Sequence, residues 1–478
     1  MTMYFNSPEG CHSYKLVVAG EKDFRATDMR NRLLLIGLAV AFWFCIKVVD
    51  YLLPGPAILV LLCALIAVMV THSLWLFTAQ SRWIRNRRRR LPDAGRRFIS
   101  MDAERWQPSV DIFVAAKNES RVIETCVRNL FKLDYPKFLV WIIDDCSTDA
   151  TPEILEALKK EYPRLRVIRR SPGGRPGKSA ALNEALPLSK GEVIAVFDAD
   201  AYVAPNFLRT VLPVLAAEGV GAVQVQKRIY EYQKGFLVNC QASEYALDTY
   251  FQMGRDLIGG AVELRGNGQL IKRTALIDVG GWNNKAITDD LDLTMRLLIN
   301  DWDIRFCPLA YVWEEGVTTL GALMRQRKRW AEGSIRRYLD YIFPLNSPGR
   351  LSLVERLDTM AFTTYFVVPA LIFLEVFSEA FNAISGRPTN CSFFCVVTTA
   401  IIIISQLNFF IAMRLYRKRM PAWRAFLHTF EVNAYVFAHW MPCVFASLSQ
   451  IMFKRQASTW HRTEHVGQPA PQLVERSS

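Results

Sequence analysis

The sequence predicts an α/β domain inserted between membrane-spanning helices. Three observations carry that prediction. Between 107 and 345, short apolar runs end in acids and alternate with segments of helical spacing. Outside that stretch lie apolar runs of the length that crosses a bilayer. Arg and Lys cluster where those long runs end.

The chain has 478 residues, 51% of them hydrophobic, and a formal net charge of +13. That length allows a large core and more than one unit. Positive charge flanking apolar spans fits the positive-inside rule and anionic headgroups, and argues against nucleic acid as a partner. The ten cysteines fall singly, without C-x-x-C, and Cys391 and Cys395 lack His partners at zinc spacing. They read as small apolar fillers in a reducing compartment. Residues 1–30 carry mixed charge ahead of the first apolar run, unlike a cleaved signal peptide.

The expected order is a cytosolic tail at 1–32, a transmembrane hairpin at 33–80, the α/β domain at 107–345, membrane helices at 359–453 and a cytosolic tail at 454–478. The hairpin pairs Leu33–Leu53, interrupted by Lys47 and Asp50, with Ala57–Ala79 across Pro54-Gly55-Pro56. Arg25, Arg30 and Arg32 precede it, and Arg82, Arg85 and Arg87 to Arg90 follow it, which sets both ends in the cytoplasm.

Within the domain, Val110–Ala116 leads into Lys117-Asn118-Glu119, Leu139–Ile143 into Asp144-Asp145, and Val193–Phe197 into Asp198-Ala199-Asp200. Such runs read as buried parallel strands. Val122, Val127 and Leu130 follow helical spacing, and Thr151-Pro152 reads as a cap with a proline at the first helical position. Strand–helix alternation gives a right-handed parallel sheet whose site lies beyond the carboxyl ends of its strands.

Asp198 and Asp200 are two apart, so on an extended strand end they share a side. Two such carboxylates suit a hard divalent cation, Mg²⁺ or Mn²⁺, or simply face water. Pro172 to Ser179 suggests a phosphate loop, but the first glycine of G-x-x-x-x-G-K-S would fall on Pro172. A nucleotide triphosphatase is rejected on that register; a mobile loop placing Lys178 near a donor and a plain surface loop both remain. Glu263 to Gln269 is a glycine-spaced turn, fit for close substrate approach or for strand entry. Thr288 is a good N-cap, with Asp289 and Asp290 in the first turn of a helix carrying Leu291, Met295 and Leu298 on one face. Acids there complement the helix dipole, which lowers their basicity; general-base work needs a water-excluded pocket to raise it. Gln326, Arg329 and Trp330 fall on one helical face, where Arg suits a pyrophosphate and Trp a sugar ring. Arg325, Arg327, Lys328, Arg336 and Arg337 give the same helix a membrane-surface reading.

Read in order, Val114 to Glu119, Asp144-Asp145, Asp198-Ala199-Asp200, Thr288-Asp289-Asp290 and Gln326 to Trp330 resemble glycosyltransferase family 2. The match is to the inverting GT-A transferases, in the membrane-integrated branch with cellulose, hyaluronan and glucosylceramide synthases. The resemblance implies a GT-A (Rossmann-like) cytosolic domain between N- and C-terminal transmembrane helices, and a nucleotide-sugar-dependent hexosyltransferase. It implies that Glu119, Asp144, Asp145, Lys178 and Asp198 hold the donor and Asp200 the metal. Asp290 would be the base, acting with Gln326, Arg329 and Trp330. Asp289 stands where the family has Glu, a departure that leaves open which acid acts. The strings Val114–Glu119, Arg265–Gln269 and Gln326–Gly333 also resemble lipid glucosyltransferases of the cyanobacterial type, which implies UDP-glucose as donor, diacylglycerol as acceptor and a β-glucosyl lipid as product. A processive β-polysaccharide synthase and an inactive nucleotide-sugar-binding membrane scaffold are the competing readings.

Thr359–Phe381 and Phe393–Met413 are expected spans joined around Ser385-Gly386-Arg387-Pro388, with Glu375 and Glu379 at the interface. Ala425–Phe453 contains His428, Glu431, Asn433, His439 and Pro442, and is expected to be interfacial or re-entrant, broken near Pro442. Ser458 to His465 resembles a cytoplasmic C-terminal motif of such synthases, which implies a return to the catalytic side.

Overall fold

A computed structural model describes residues 2–7, 10–15, 28–38, 40, 57–88, 106–230, 234–346, 351–386, 391–417, 420–453 and 467. An antiparallel hairpin, β1 (Thr2–Ser7) and β2 (Gly10–Lys15), precedes the rest. The domain is built on one sheet of eight strands: β3 (Val110–Ala116), β4 (Phe138–Asp144), β5 (Leu165–Arg169), β6 (Val193–Phe197), β7 (Tyr202–Val203), β8 (Val220–Ile229), β9 (Gln269–Lys272) and β10 (Asp303–Glu314). Their order is β5-β4-β3-β6-β9-β8-β10-β7.

The three apolar runs read as strands are β3, β4 and β6, and they pair in parallel, with β3 between the other two. Every side chain of Val193–Phe197 is fully buried, as an all-apolar run covered on both faces requires. Each of the larger side chains, Val193, Ile194, Val196 and Phe197, contributes about 1.5–3 kcal/mol. The sheet as a whole is mixed: β9 runs antiparallel to both β6 and β8. Gly266 and Gly268, at φ +78° and +71°, turn the chain into β9 against the direction of its neighbours.

Helices α2 (Ile123–Leu130), α3 (Thr151–Glu161), α4 (Lys178–Ala185), α5 (Phe207–Leu215), α6 (Phe236–Ile258) and α7 (Arg273–Asp278) follow in the domain. Thr151 is the first residue of α3, not its cap, and Pro152 is the second. Asp149 takes over the capping role: it accepts from the Thr151 amide at 3.0 Å and the Ser120 amide at 3.2 Å. Then come α8 (Asp289–Ile299) and α9 (Leu320–Asn346).

Around the domain stand α1 (Ala57–Arg88), α10 (Leu353–Ile384), α11 (Cys391–Tyr416) and α12 (Ala422–Phe453). Among the described residues, Cys63–Asn86, Thr398–Tyr416 and Ala422–Phe453 are long and apolar enough to cross a membrane. α10 opens on a capping box, Ser352 with Glu355. Most of the first expected span and its Pro-Gly-Pro turn lie outside the described residues, as do the side chains of Glu375 and Glu379.

α12 overturns the expected break. It is one helix through Pro442. The polar residues that suggested an interruption have partners, His439 and Glu431 within α12 and others on neighbouring helices. His428 Nε2 lies 3.1 Å from Ser243 Oγ on α6, and Asn433 is bonded to Ser405 on α11. Beyond the proline, Cys443 Sγ and Ser447 Oγ donate to the Met324 and Lys328 carbonyls of α9. Packing offsets the one hydrogen bond Pro442 cannot make.

The cations expected to coat α9 as a membrane-surface face are partly internal. Arg327, Arg336 and Arg337 are buried and paired with Glu244, Glu332 and Asp28, and Glu263. Buried charges persist only with partners of this kind. Of the expected flanking cations, Arg30 pairs with Asp340 of α9, and Arg32 pairs within its own helical segment with Asp28, which in turn pairs with Arg336 of α9.

Candidate active site

Strands β3, β4 and β6 end at one edge of the sheet, and the first predicted residues sit in the turns that follow. Asn118 and Cys146 both take left-handed backbone, at φ 56° and 58°, as the chain leaves β3 and β4. The two turns are tied together: the Asn118 amide donates to Ser147 Oγ at 2.7 Å, and the Thr148 amide to Asn118 Oδ1 at 2.7 Å. Glu119 is buried there. Asp144 is buried at the end of β4 and accepts from the Ser147 amide at 3.0 Å. Asp145 pairs with Arg170 and accepts from the Gly177 amide at 3.0 Å, which fastens the glycine loop to the strand end.

Lys178 therefore enters at the first turn of α4 and reaches Asp198 Oδ1 at 2.5 Å and the Gly266 carbonyl at 3.2 Å. Burial works against its ammonium, but Asp198, Asp289 and Asp290 outweigh it and hold its pKa above the ordinary value. The strand ends at Phe197, and Asp198 to Ala201 form a turn. Strand alternation therefore stops before Asp200, and the two acids have different partners: Asp198 takes Lys178, whereas Asp200 is buried and accepts from the Glu315 amide at 2.8 Å. Gly467, just past the C-terminal string that falls outside the described residues, donates to Glu315 Oε1 at 3.1 Å.

Thr288 has the extended backbone of an N-cap, but its hydroxyl makes no capping bond. Its side chain is pressed instead against Gly333, where a Cβ would come within 2.4 Å of it. That contact brings α8 and α9 together. Asp290 lies beside Gly266, where a Cβ would stand 3.1 Å from its Oδ2. Burial and then the neighbouring Asp289 push the Asp290 carboxyl up to about 6, against the Leu291 amide, Lys178 and Arg265. The helix start was expected to lower this acid; desolvation is the larger effect. A carboxylate so placed can accept a proton near neutral pH.

On α9, Arg329 lies in the electrostatic field of Asp198, Asp289 and Asp290, which oppose the downward push of burial on its guanidinium. Gln326 and Trp330 are joined by a residue read as a surface cation. Arg327 donates to Gln326 Oε1 at 2.7 Å and stacks 4.0 Å from the Trp330 ring.

Two further groups stand at the site: Lys227, which the sequence reading missed, and Asn267, which it placed in a glycine-spaced turn without giving it a role. Lys227, on β8, lies 3.0 Å from Glu314 Oε1 and 5.8 Å from the Trp330 ring; burial lowers its pKa, but Glu314 first, then Asp198 and Asp290, raise it above the ordinary value. Asn267 is fully buried, donates to Glu314 Oε2 at 2.9 Å and accepts from the Asp198 amide at 3.2 Å. The available signal for Lys227 was the polar run Gln224, Gln226, Lys227 and Arg228 inside a largely buried strand.

For a metal, the described residues offer the Asp198 and Asp200 carboxylates and contain no cluster of three or more His, Cys, Asp or Glu. Oxygen donors in that small number fit Mg²⁺ or Mn²⁺ held jointly with a ligand's phosphates.

Residues 108–333 match the family model described as glycosyltransferase like family 2. A β-monoglucosyldiacylglycerol synthase of Trichormus variabilis is 42% identical over 368 residues, which are 75% of this chain and 77% of that protein. Another of that name from Synechocystis is 52% identical over 236 residues, 49% of each chain. Among solved structures, the mannosyltransferase PcManGT from Pyrobaculum calidifontis, in complex with GDP-Man and Mn²⁺, aligns with a TM-score of 0.56 at 20% identity, over 81% of this chain and 99% of that one. That likeness bears on the fold.

Proposed function

The chain belongs to glycosyltransferase family 2, and from that premise we propose that it moves glucose from UDP-glucose to 1,2-diacylglycerol at the membrane surface, forming β-monoglucosyldiacylglycerol. The two relatives of that name support the donor and the acceptor. One observation carries the reading most: the Thr288–Gly333 contact joins the helix of Asp290 to the helix of Arg329, and that second helix packs along α12, an apolar helix long enough to span a bilayer. Proton acceptor, cation and membrane meet there.

In this reading Asp290 takes the proton of the acceptor hydroxyl as its oxygen bonds to the anomeric carbon. The bond from that carbon to the diphosphate breaks on the opposite face, and UDP leaves, so an α-linked donor gives a β-glycoside. Arg329 and Lys178 offset the charge developing on the diphosphate. Glu119, Asp144, Asp145 and Asp198 hold the donor, with Gln326 and Trp330 walling the acceptor side. Asp200 would hold a divalent cation, Mg²⁺ or Mn²⁺, which when bound neutralises diphosphate charge. The chain is membrane-associated; the apolar helices and flanking cations support a multi-pass protein with its domain on the cytoplasmic side.

The test is product size. Purified protein given labelled UDP-glucose and diacylglycerol yields an organic-extractable lipid whose mass is that of a monoglucosyl diacylglycerol. A retained polymer, or no transfer with donor binding intact, would refute the reading.

A further inference from the structure

The membrane helices reach the candidate base through an internal chain of charges. His72 on α1 lies 2.9 Å from Asp358 Oδ1 near the start of α10. Asp358 Oδ2 accepts from Arg255 Nε on α6 at 2.8 Å and from the Ala261 amide at 3.0 Å. Arg255 then approaches Glu263 at 3.4 Å, and Glu263 also pairs with Arg265 at 2.7 Å and with Arg337 of α9 at 3.1 Å. His72, Asp358, Arg255 and Glu263 have side chains no more than 2% exposed.

These partners grip both ends of the segment 260–265. At Gly260 a Cβ would fall 2.6 Å from the Asp358 carboxylate, so the backbone is held against that acid. The segment in turn holds the helix of Asp290: the Leu264 amide donates to Thr294 Oγ1 at 2.9 Å, and that hydroxyl donates to the Asp290 carbonyl at 2.9 Å. The next residues face the same acid and the donor side. Gly266 lies against the Asp290 side chain and accepts Lys178 through its carbonyl.

Burying five or six charges is costly relative to apolar residues of similar volume, and the return on such networks is fixed geometry. We propose that the chain His72–Asp358–Arg255–Glu263 is a positioning device that carries the packing of α1 and α10 to Asp290, with Glu263 as the positioning residue nearest the base. The inference rests on Asp290 acting as the base. Its chemistry is unchanged by the network; its place is not.

The experiment compares Glu263→Gln, His72→Leu, His72→Gln and Asp290→Asn in the full-length protein reconstituted in lipid nanodiscs, scoring UDP affinity, donor KM and turnover. A misplacement of about 1 Å costs roughly 10²-fold in rate, so Glu263→Gln loses turnover on that scale while UDP affinity and donor KM stay at wild-type values. His72→Leu loses turnover in the same direction, and His72→Gln, which can still donate to Asp358, recovers it. Wild-type turnover in a folded Glu263→Gln, or in His72→Leu where Glu263→Gln does not fold, would reduce the network to packing and overturn the proposal. Equal losses in His72→Leu and His72→Gln would do the same. If Asp290→Asn remains active, the base assignment fails and the positioning role falls with it; if it alone is inactive, only the positioning role fails.

Discussion

The proposed donor side and the proposed acceptor side of this site are held by different means. Around Asp144, Asp145 and Lys178, the fixing bonds are short links between the ends of adjacent strands and the loops that follow, such as Gly177 to Asp145 and Asn118 to Ser147. Around Asp290, Arg329 and Trp330, they are side-chain pairs between α9 and parts of the chain far from it in sequence, such as Arg327 with Glu244 of α6 and Arg337 with Glu263 of the 260–265 segment. Sheet ends give a rigid cradle that depends on local sequence. The acceptor side depends on how the membrane helices pack, so its geometry is a property of the whole chain.

The largest expected effect separates chemistry from binding. Asp290→Asn removes the proton acceptor and lowers turnover about 10³-fold, with UDP affinity unchanged in a titration; wild-type turnover would break the division between the two sides. Lys178→Ala should do the reverse. It removes a charged hydrogen-bond donor worth about 1.5–3 kcal/mol, read as a roughly tenfold to hundredfold weaker UDP Kd with the helices still packed.

A pH profile sharpens the same contrast. With Asp290 pushed up to about 6, turnover at saturating substrate should fall about tenfold per unit below that pH, as the carboxylate takes up a proton and can no longer accept one. UDP affinity should not follow that limb. A limb near pH 4 would mean that the acid is not desolvated in the working enzyme. The smallest effect is expected from Gly333→Ala. Its methyl would stand 2.4 Å from Thr288, and overpacking of this kind costs about 1–3 kcal/mol. A lower Tm together with reduced turnover is the expected outcome, and an unchanged Tm would show that the helices can part without penalty.

The donor side was readable because its rules are local. Apolar runs ending in acids gave β3, β4 and β6, and the acids mark the sheet edge where Lys178 also arrives. What could not be read there was the turn after Phe197, which separates the partners of Asp198 and Asp200. The antiparallel strand β9 follows two glycines, which a strand-by-strand reading does not orient. On the acceptor side the spacing of Gln326, Arg329 and Trp330 was visible, but Arg327 looked like a membrane-facing cation because its partner Glu244 is 83 positions away. Pro442 looked like a break for the same reason: the contacts that carry α12 past it belong to α9. Lys227 and Glu314 show no spacing at all, since they meet across neighbouring strands.

The glycine at 333 has a mechanical consequence. The Thr288 side chain seats directly on the bare backbone of Gly333, so the start of α8, with the proposed base Asp290, and the part of α9 that carries Arg329 are packed without a gap between them. In the proposed reaction a bulky two-chain lipid still has to enter and leave. Parting α8 from α9 would undo the Thr288–Gly333 seat, so in that reading the lipid is expected to enter without separating these two helices.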